Sequence, residues 1–415
     1  MRSFQFLCLM AITTYVMLSS HVYAQLPSVE TLPDREGLPQ ALKMEDGTPI
    51  TSAQQWNEKR RPELKQLFQQ AMFGFLPAPP DHVLYTTAAK GSICNHKGIL
   101  FEYLLTLPDH AASSDGQVKH ALLSLIIPAN ATKPAPVFLA LNKCGNHEIL
   151  PDENITFQEK KIRHGGCRTT QRGEKKDYWS LETLLDRGYG FATCHVADFE
   201  FDAANDQTAS KKQTEAGTLA TWAWGLHRCV DVLSQQAEVD ASKICLIGHS
   251  RRGKAALFAA AMDERIALVV PHQSGTGGMA LSRDNNQETV TRITTIFPHW
   301  FSKRFAEYAG NEQKLPIDQH LLMALVAPRP LMETSGLQDT WANFEHSLKG
   351  IQEASKVYEF LGTTGIKAGG MIIGPEKLTP ENVGHLVQYR LDTKHVLTKE
   401  YWDGILDFAD IHLAD

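Results

Sequence analysis

The sequence predicts an α/β fold: a mostly parallel central sheet with helices on both faces, in three layers. Three observations predict it. Short apolar runs of strand length recur along the chain, and helical segments separate them, as expected for strands buried between two helical layers. One such run, at 243–248, ends in Gly248-His249-Ser250 and passes directly into an Ala-rich helix. The composition, 43% hydrophobic and 21% charged over 415 residues, is that of a globular chain with a sizeable core. It excludes a disordered chain, a collagen-like chain and a coiled coil.

The elements follow in chain order. Arg2, an apolar stretch at 6–17 and Val22-Tyr23-Ala24 make residues 1–24 a signal peptide, with an uncleaved anchor as the alternative. The stretch is shorter than the ~18 residues that a membrane span needs, and no later run reaches that length. A secreted or periplasmic protein with no membrane partner is expected. The formal net charge of −6 leaves no basic excess to offset phosphates, so nucleic acid is not an expected partner.

Residues 25–80 are expected to form an N-terminal arm, Pro-rich and irregular up to about 50. Ser52-Ala-Gln-Gln55 offers a capping box, Pro62 restarts a helix to about Met72, and Gly74 ends it. Strands are expected at 99–107, 120–127, 136–141, 188–195, 243–248, 268–272, 330–334 and 367–373, the first two as an antiparallel hairpin. Helices are expected at 179–186, 218–233, 253–262 and 402–412, among others. Residues 275–327 carry no clear strand and read as a helical insertion over the C-terminal edge of the sheet. The whole of 25–415 is therefore read as a single catalytic domain, and a monomer is expected.

Of seven cysteines, Cys8 lies in the signal peptide. The other six allow fifteen pairings, and sequence alone does not choose among them. Cys194 and Cys245 sit in apolar strand-like runs, where a buried thiol is expected. Cys144 and Cys167 lie in Gly-containing loops and are the favoured pair. No CxxC occurs and no His/Cys spacing suggests zinc, so neither metal nor cofactor is expected.

The segment Lys243-Ile-Cys-Leu-Ile-Gly-His-Ser-Arg-Arg-Gly-Lys254 carries the chemistry. A strand, a sharp turn and a helix form a nucleophile elbow, with Gly248 and Gly253 small where strand and helix approach closely. The spacing is GxSxxG rather than GxSxG, so the strand–turn–helix context carries the assignment. The elbow lifts Ser250 Oγ to the top of the sheet. It also sets the backbone N–H of Arg251 at the helix N-terminus, ready for a developing oxyanion. In this α/β-hydrolase arrangement the acid and then the histidine follow the serine in sequence. Asp339 lies just past the strand at 330–334 and is the acid candidate. Glu333, within that strand, is a rival, and an ordinary turn residue at 339 is the plain alternative. For the base, His395 lies in a loop before the last helix, whose N-cap is Thr398, and His385 lies in a strand-like run. His395 is preferred. The remaining histidines are read as surface or structural.

Gly248-His-Ser-Arg-Arg-Gly-Lys254-Ala-Ala-Leu resembles the elbow of the glucuronoyl esterases, carbohydrate esterase family 15, bacterial branch. So do Leu141-Asn-Lys-Cys-Gly-Asn-His147, Arg187-Gly-Tyr-Gly-Phe-Ala-Thr193, Ser274-Gly-Thr-Gly-Gly278, Gln287-Glu-Thr289, Phe297-Pro-His-Trp-Phe301, Gln338-Asp-Thr-Trp341 and Lys394-His-Val-Leu-Thr398. The resemblance covers roughly residues 50–415. It implies an esterase acting on esters of (4-O-methyl-)glucuronate that join xylan to lignin alcohols. It implies Ser250 as nucleophile, His395 as base, and the Arg251 guanidinium as part of the oxyanion site. Lys254, Glu288 and Trp341 would hold the sugar ring. One family pattern puts a Glu immediately before Ser274. Here that position is Gln273, which cannot serve as the acid. A second pattern puts an Asp two residues before the Trp, and Asp339 fits it.

Plainer readings stand beside these. Lys254 and Glu288 can be a structural ion pair, and Trp300 and Trp341 core aromatics. An acetyl-xylan or other carbohydrate esterase on the same fold is the second functional reading, and a non-catalytic carbohydrate-binding homologue is the third.

Overall fold

Among the described residues ten strands form one sheet: β1 Leu84–Ile93, β2 Gly98–Thr106, β3 His120–Pro128, β4 Ala135–Asn142, β5 Gly190–His195, β6 Val239–His249, β7 Leu268–His272, β8 Leu331–Gly336, β9 Met371–Ile373 and β10 Leu386–Leu391. The computed structural model describes residues 26–107, 119–158, 171–203 and 215–414. The expected signal peptide lies outside them. Across the sheet the order is β1-β2-β3-β5-β4-β6-β7-β8-β10-β9. β1, β2 and β3 pair antiparallel, β3 meets β5 antiparallel, and every later pairing is parallel.

Alternation along the strands explains why helices cover both faces. In β4, Val137, Leu139 and Leu141 enter one core cluster, while Phe138 and Ala140 enter the other. In β6, Ile244 and Leu246 face the first core, and Cys245 and Ile247 the second. Successive side chains of a strand point to opposite faces, so a strand apolar at every position needs cover on both sides. The helices Thr218–Leu233, Arg251–Met262, Gln319–Ala324 and Phe344–Phe360 supply apolar residues to the first core. Leu181–Asp186 and Lys399–Leu413 supply the second.

Several expected elements differ in detail. The edge strand β1 was not expected, because its residues are mostly solvent-facing and its apolar pattern is weak. The helix Phe344–Phe360 was not among those singled out. β9 starts at Met371 rather than near 367, because Gly369 and Gly370 take φ of +72° and +82°, which an extended strand does not allow. The helix after Ser52 does not stop and restart. Ser52 caps it through Gln55 N–H at 3.2 Å, and helical backbone continues to Phe73 through two wider π-helical turns, Trp56–Arg60 and Gln69–Phe73. Within 275–327 lie the short helices Val290–Ile296, Lys303–Glu307 and Gln319–Ala324, and no strand.

Cys144 is disulfide-bonded, whereas Cys94, Cys194, Cys229 and Cys245 remain thiols. The expected partner, Cys167, lies outside the described residues. No helix among the described residues is long and apolar enough to cross a membrane.

Candidate active site

The parallel strands β4 to β10 run the same way, so the loops after their C-terminal ends gather along one edge, where open α/β sheets bind ligands. Ser250 stands in the turn between β6 and the helix Arg251–Met262. Its backbone has φ +58° and ψ −127°, a conformation that costs a non-glycine residue about 1–3 kcal/mol. Surrounding bonds hold it there. Ser250 N–H donates to His272 O at 2.9 Å, and Gly253 and Lys254 N–H donate to Ser250 O at 2.8 and 3.1 Å. A Cβ on Gly248 would come within 2.3 Å of Arg252 O, and one on Gly253 within 2.6 Å of Gly248 O. Both glycines are small because strand and helix touch there.

Asp339 and His395 meet because β8 and β10 are adjacent, parallel and in register, from Leu331 beside Leu386 to Gly336 beside Leu391. The two loops leave the sheet at the same level and stay joined: Leu337 N–H donates to Leu391 O at 2.9 Å and Gln338 N–H to Thr393 O at 3.0 Å. Three and four residues past the strand ends, His395 Nδ1–H donates to Asp339 Oδ2 at 2.6 Å. Asp339 is buried and His395 remains partly open to solvent. That bond leaves the Nε2 lone pair of His395 available as a base. The His395 ring lies 4.3 Å from the ring of His249, the residue before Ser250. Among the described residues no hydrogen bond joins Ser250 Oγ to His395, a link that often tightens only around a substrate.

The rival residues lie elsewhere. His385 precedes β10, six strand residues from the loop of His395, roughly 20 Å along the strand. It bonds Thr364 O, and its ring lies 4.5 Å from that of His412, tilted by 52°. Glu333 is fully buried within β8 and accepts a hydrogen bond from Gln388. Burial pushes its carboxyl up to about 8, so it is held as the neutral acid.

Lys254 is one helical turn past Ser250, and its side chain is almost wholly buried. Its Nζ donates to Glu288 Oε2 at 2.9 Å and to Thr276 O at 2.6 Å. Burial lowers its pKa, and the Glu288 charge opposes that shift. Glu288 also accepts from Thr276 N–H at 2.8 Å, in a turn where Gly275 takes φ +60° and a Cβ would strike the carboxylate at 2.2 Å. Trp341 is half-buried, with the Arg292 guanidinium 4.9 Å from its ring centre. Trp300 is buried, and its N–H is bonded.

The Arg251 guanidinium lies 4.3 Å from the Trp300 ring centre and 4.9 Å from that of Phe297, and it donates to Asp202 Oδ2 at 2.6 Å. Asp202 was not singled out from the sequence. Asp202 lies seven residues past the end of β5, with Asp198 and Glu200 nearer the strand, so its spacing does not mark it. Two buried or near-buried rings also went unmarked. His249 Nε2–H donates to Gln273 Oε1 at 3.2 Å, and His272 Nε2–H donates to Val396 O at 3.0 Å. Burial lowers both histidines well below the ordinary value, His272 to about 3, so both are neutral. Gln273 Nε2 donates to Lys394 O at 2.9 Å, which fixes the loop of His395 from the other side.

A cavity of about 600 Å³ between residues 76–83 and the helix Thr218–Leu233 contains none of these residues. Among the described residues no group of three or more His, Cys, Asp or Glu is placed to hold a metal.

The chain as a whole is similar to known proteins. The chain is 37% identical to a carbohydrate esterase of an unknown prokaryotic organism, over 91% of this chain and 90% of that one. It superposes on a glucuronoyl esterase from Solibacter usitatus with a TM-score of 0.80 and 31% identity, covering 92% and 99% of the two chains. A promiscuous esterase of carbohydrate esterase family 15 from a marine bacterial metagenome shares 36% identity, with a TM-score of 0.81 over 93% of this chain and 99% of that chain. The chain belongs to carbohydrate esterase family 15. The 4-O-methyl-glucuronoyl methylesterase of Schizophyllum commune is 28% identical over 85% of this chain and 81% of its own. Residues 208–362 match the family model described as glucuronyl esterase, fungi. Membership makes the protein a carboxylic ester hydrolase with the α/β-hydrolase fold.

Proposed function

We propose that the protein is an exported glucuronoyl esterase that cleaves esters between (4-O-methyl-)glucuronate and lignin-type alcohols through Ser250, His395 and Asp339. The observation that carries the reading is the 2.6 Å bond from His395 to Asp339, in two loops that leave the sheet beside the elbow. Ser250 Oγ attacks the ester carbonyl while His395 Nε2 takes its proton. The alcohol leaves with that proton, and a glucuronoyl ester remains on Ser250. Water then enters with the same base, and the uronate is released. Asp339 holds the imidazole in the tautomer with Nδ1 protonated and offsets the imidazolium charge. The Arg251 backbone N–H and guanidinium meet the charge on the carbonyl oxygen.

Lys254, Glu288 and Trp341 hold the uronate ring. Lys254 is four residues past Ser250, on the same helix face. A charged pair beside the reacting serine suits sugar hydroxyls and disfavours an apolar acyl group, which offers its remaining donors and acceptors no hydrogen bond. Export is supported by residues 1–24 and by the disulfide at Cys144, since disulfides persist in oxidising compartments.

The test is a comparison of kcat/KM on benzyl D-glucuronate and para-nitrophenyl acetate. The reading predicts that the uronate ester is favoured by roughly tenfold or more. A preference for acetate selects a broader carbohydrate esterase, and failure to hydrolyse either selects a non-catalytic homologue.

A further inference from the structure

Asp202 divides its two carboxylate oxygens. Oδ2 accepts from Arg251 Nη1 at 2.6 Å, and Oδ1 accepts from His299 Nε2–H and Trp300 Nε1–H, each at 2.9 Å. Phe297 and Trp300 stack face to face, with ring centres 3.7 Å apart and an interplanar angle of 3°, and the Arg251 guanidinium lies against the side of that stack. Arg251 is therefore held between the ring stack and a carboxylate. Burial alone would raise the pKa of Asp202. The bonds from His299 and Trp300 and the Arg251 charge overrule it and hold the carboxyl well below its usual range.

We infer that Asp202 is a positioning residue for Arg251, fixing the guanidinium where it meets charge developing on the substrate carbonyl oxygen. The inference rests on the reading of Arg251 as an oxyanion partner. An arginine side chain carries about 2 kcal/mol of rotamer entropy, and a donor aimed before the reaction needs no reorganisation during it. A guanidinium has five N–H groups, so one bond to Asp202 leaves the others for substrate. The carboxylate also draws off part of the positive field of Arg251, which acts the other way. The sign of the effect on kcat decides between orientation and neutralisation.

The same contacts link three parts of the chain. Arg251 belongs to the elbow, Asp202 to the loop after β5, and His299 and Trp300 to the segment 275–327. Asp202 ties that segment to the helix that carries the nucleophile.

The experiment is benzyl D-glucuronate kinetics on the wild type, Arg251→Ala, Asp202→Ala, Asp202→Asn and the double variant Arg251→Ala/Asp202→Ala, with thermal melts as a check on folding. Asp202→Asn keeps the shape of the side chain and an acceptor for His299 and Trp300, so it stands in if the alanine variant does not fold. The expected result for either Asp202 change is a fall in kcat of about 10- to 100-fold, part of what losing an oxyanion donor costs, with KM within about threefold. In the Arg251→Ala background the same change should alter kcat by less than about twofold, since neighbours acting through one group are not additive. An equal loss in both backgrounds overturns the inference, as does an unchanged or raised kcat in an enzyme that needs Arg251. Wild-type kcat for Arg251→Ala overturns the oxyanion reading itself, and the positioning role falls with it.

Discussion

Gln273 Nε2 donates to the Lys394 carbonyl at 2.9 Å, so the residue that replaces the alternative acid holds the backbone next to His395. Its Oε1 is taken by His249. Both polar atoms of Gln273 are thus committed to the frame around the base, and neither is directed to the base itself.

Asp339 therefore stands as the sole acid on His395 among the described residues. Asp339→Asn should lower kcat by roughly 10⁴, as in the serine-protease precedent. Gln273→Glu should not rescue it, because a carboxylate would face the Lys394 carbonyl and lose the donor that holds it. Steady-state kinetics on the two single variants and the double would check this. A double variant clearly faster than Asp339→Asn would show that a carboxylate at 273 reaches the imidazole.

His395→Ala should be about as damaging as loss of the nucleophile, since triad members act as a unit. His385→Ala should leave kcat within about tenfold, because the strand β10 separates it from the site. If the two variants exchanged ranks, the base would be His385.

Lys254 and Glu288 form a buried pair, and removing one partner leaves the other charge without compensation. Lys254→Met should lower unfolding stability by about 3–5 kcal/mol, and Lys254→Met/Glu288→Leu by clearly less. Urea denaturation of both measures this. A Lys254→Met variant of wild-type stability would mean that the pair contributes nothing to the fold.

Glu333 gives a pH-dependent term with a definite sign. Its folded pKa is raised to about 8 from the ordinary 4.5. Between those values the unfolded chain has released the proton and the folded chain still holds it, so stability falls as pH rises, by up to roughly 1.4 kcal/mol per unit. Glu333→Gln should remove that slope and be the more stable protein above pH 8. Parallel slopes for wild type and variant between pH 5 and 8 would contradict this.

Much of the candidate site is legible in the chain, for local reasons. Gly248 and Gly253 flank Ser250 between an apolar strand and an Ala-rich helix, and such contrast survives without tertiary information. Asp339 and His395 follow strand ends, and the fold's order of residues selects them. Asp202 was not legible, because its role depends on His299 and Trp300, nearly a hundred residues away. The edge strand β1 was missed for a related reason: half-exposed positions carry little pattern.

The most direct test of the central claim is benzyl alcohol release from benzyl D-glucuronate by Ser250→Ala. The account predicts a loss of roughly 10⁴-fold or more, with a thermal midpoint close to wild type, since one hydroxyl at the surface of the elbow adds little to the core. A Ser250→Ala protein that folds normally and keeps more than about a tenth of wild-type turnover would contradict it.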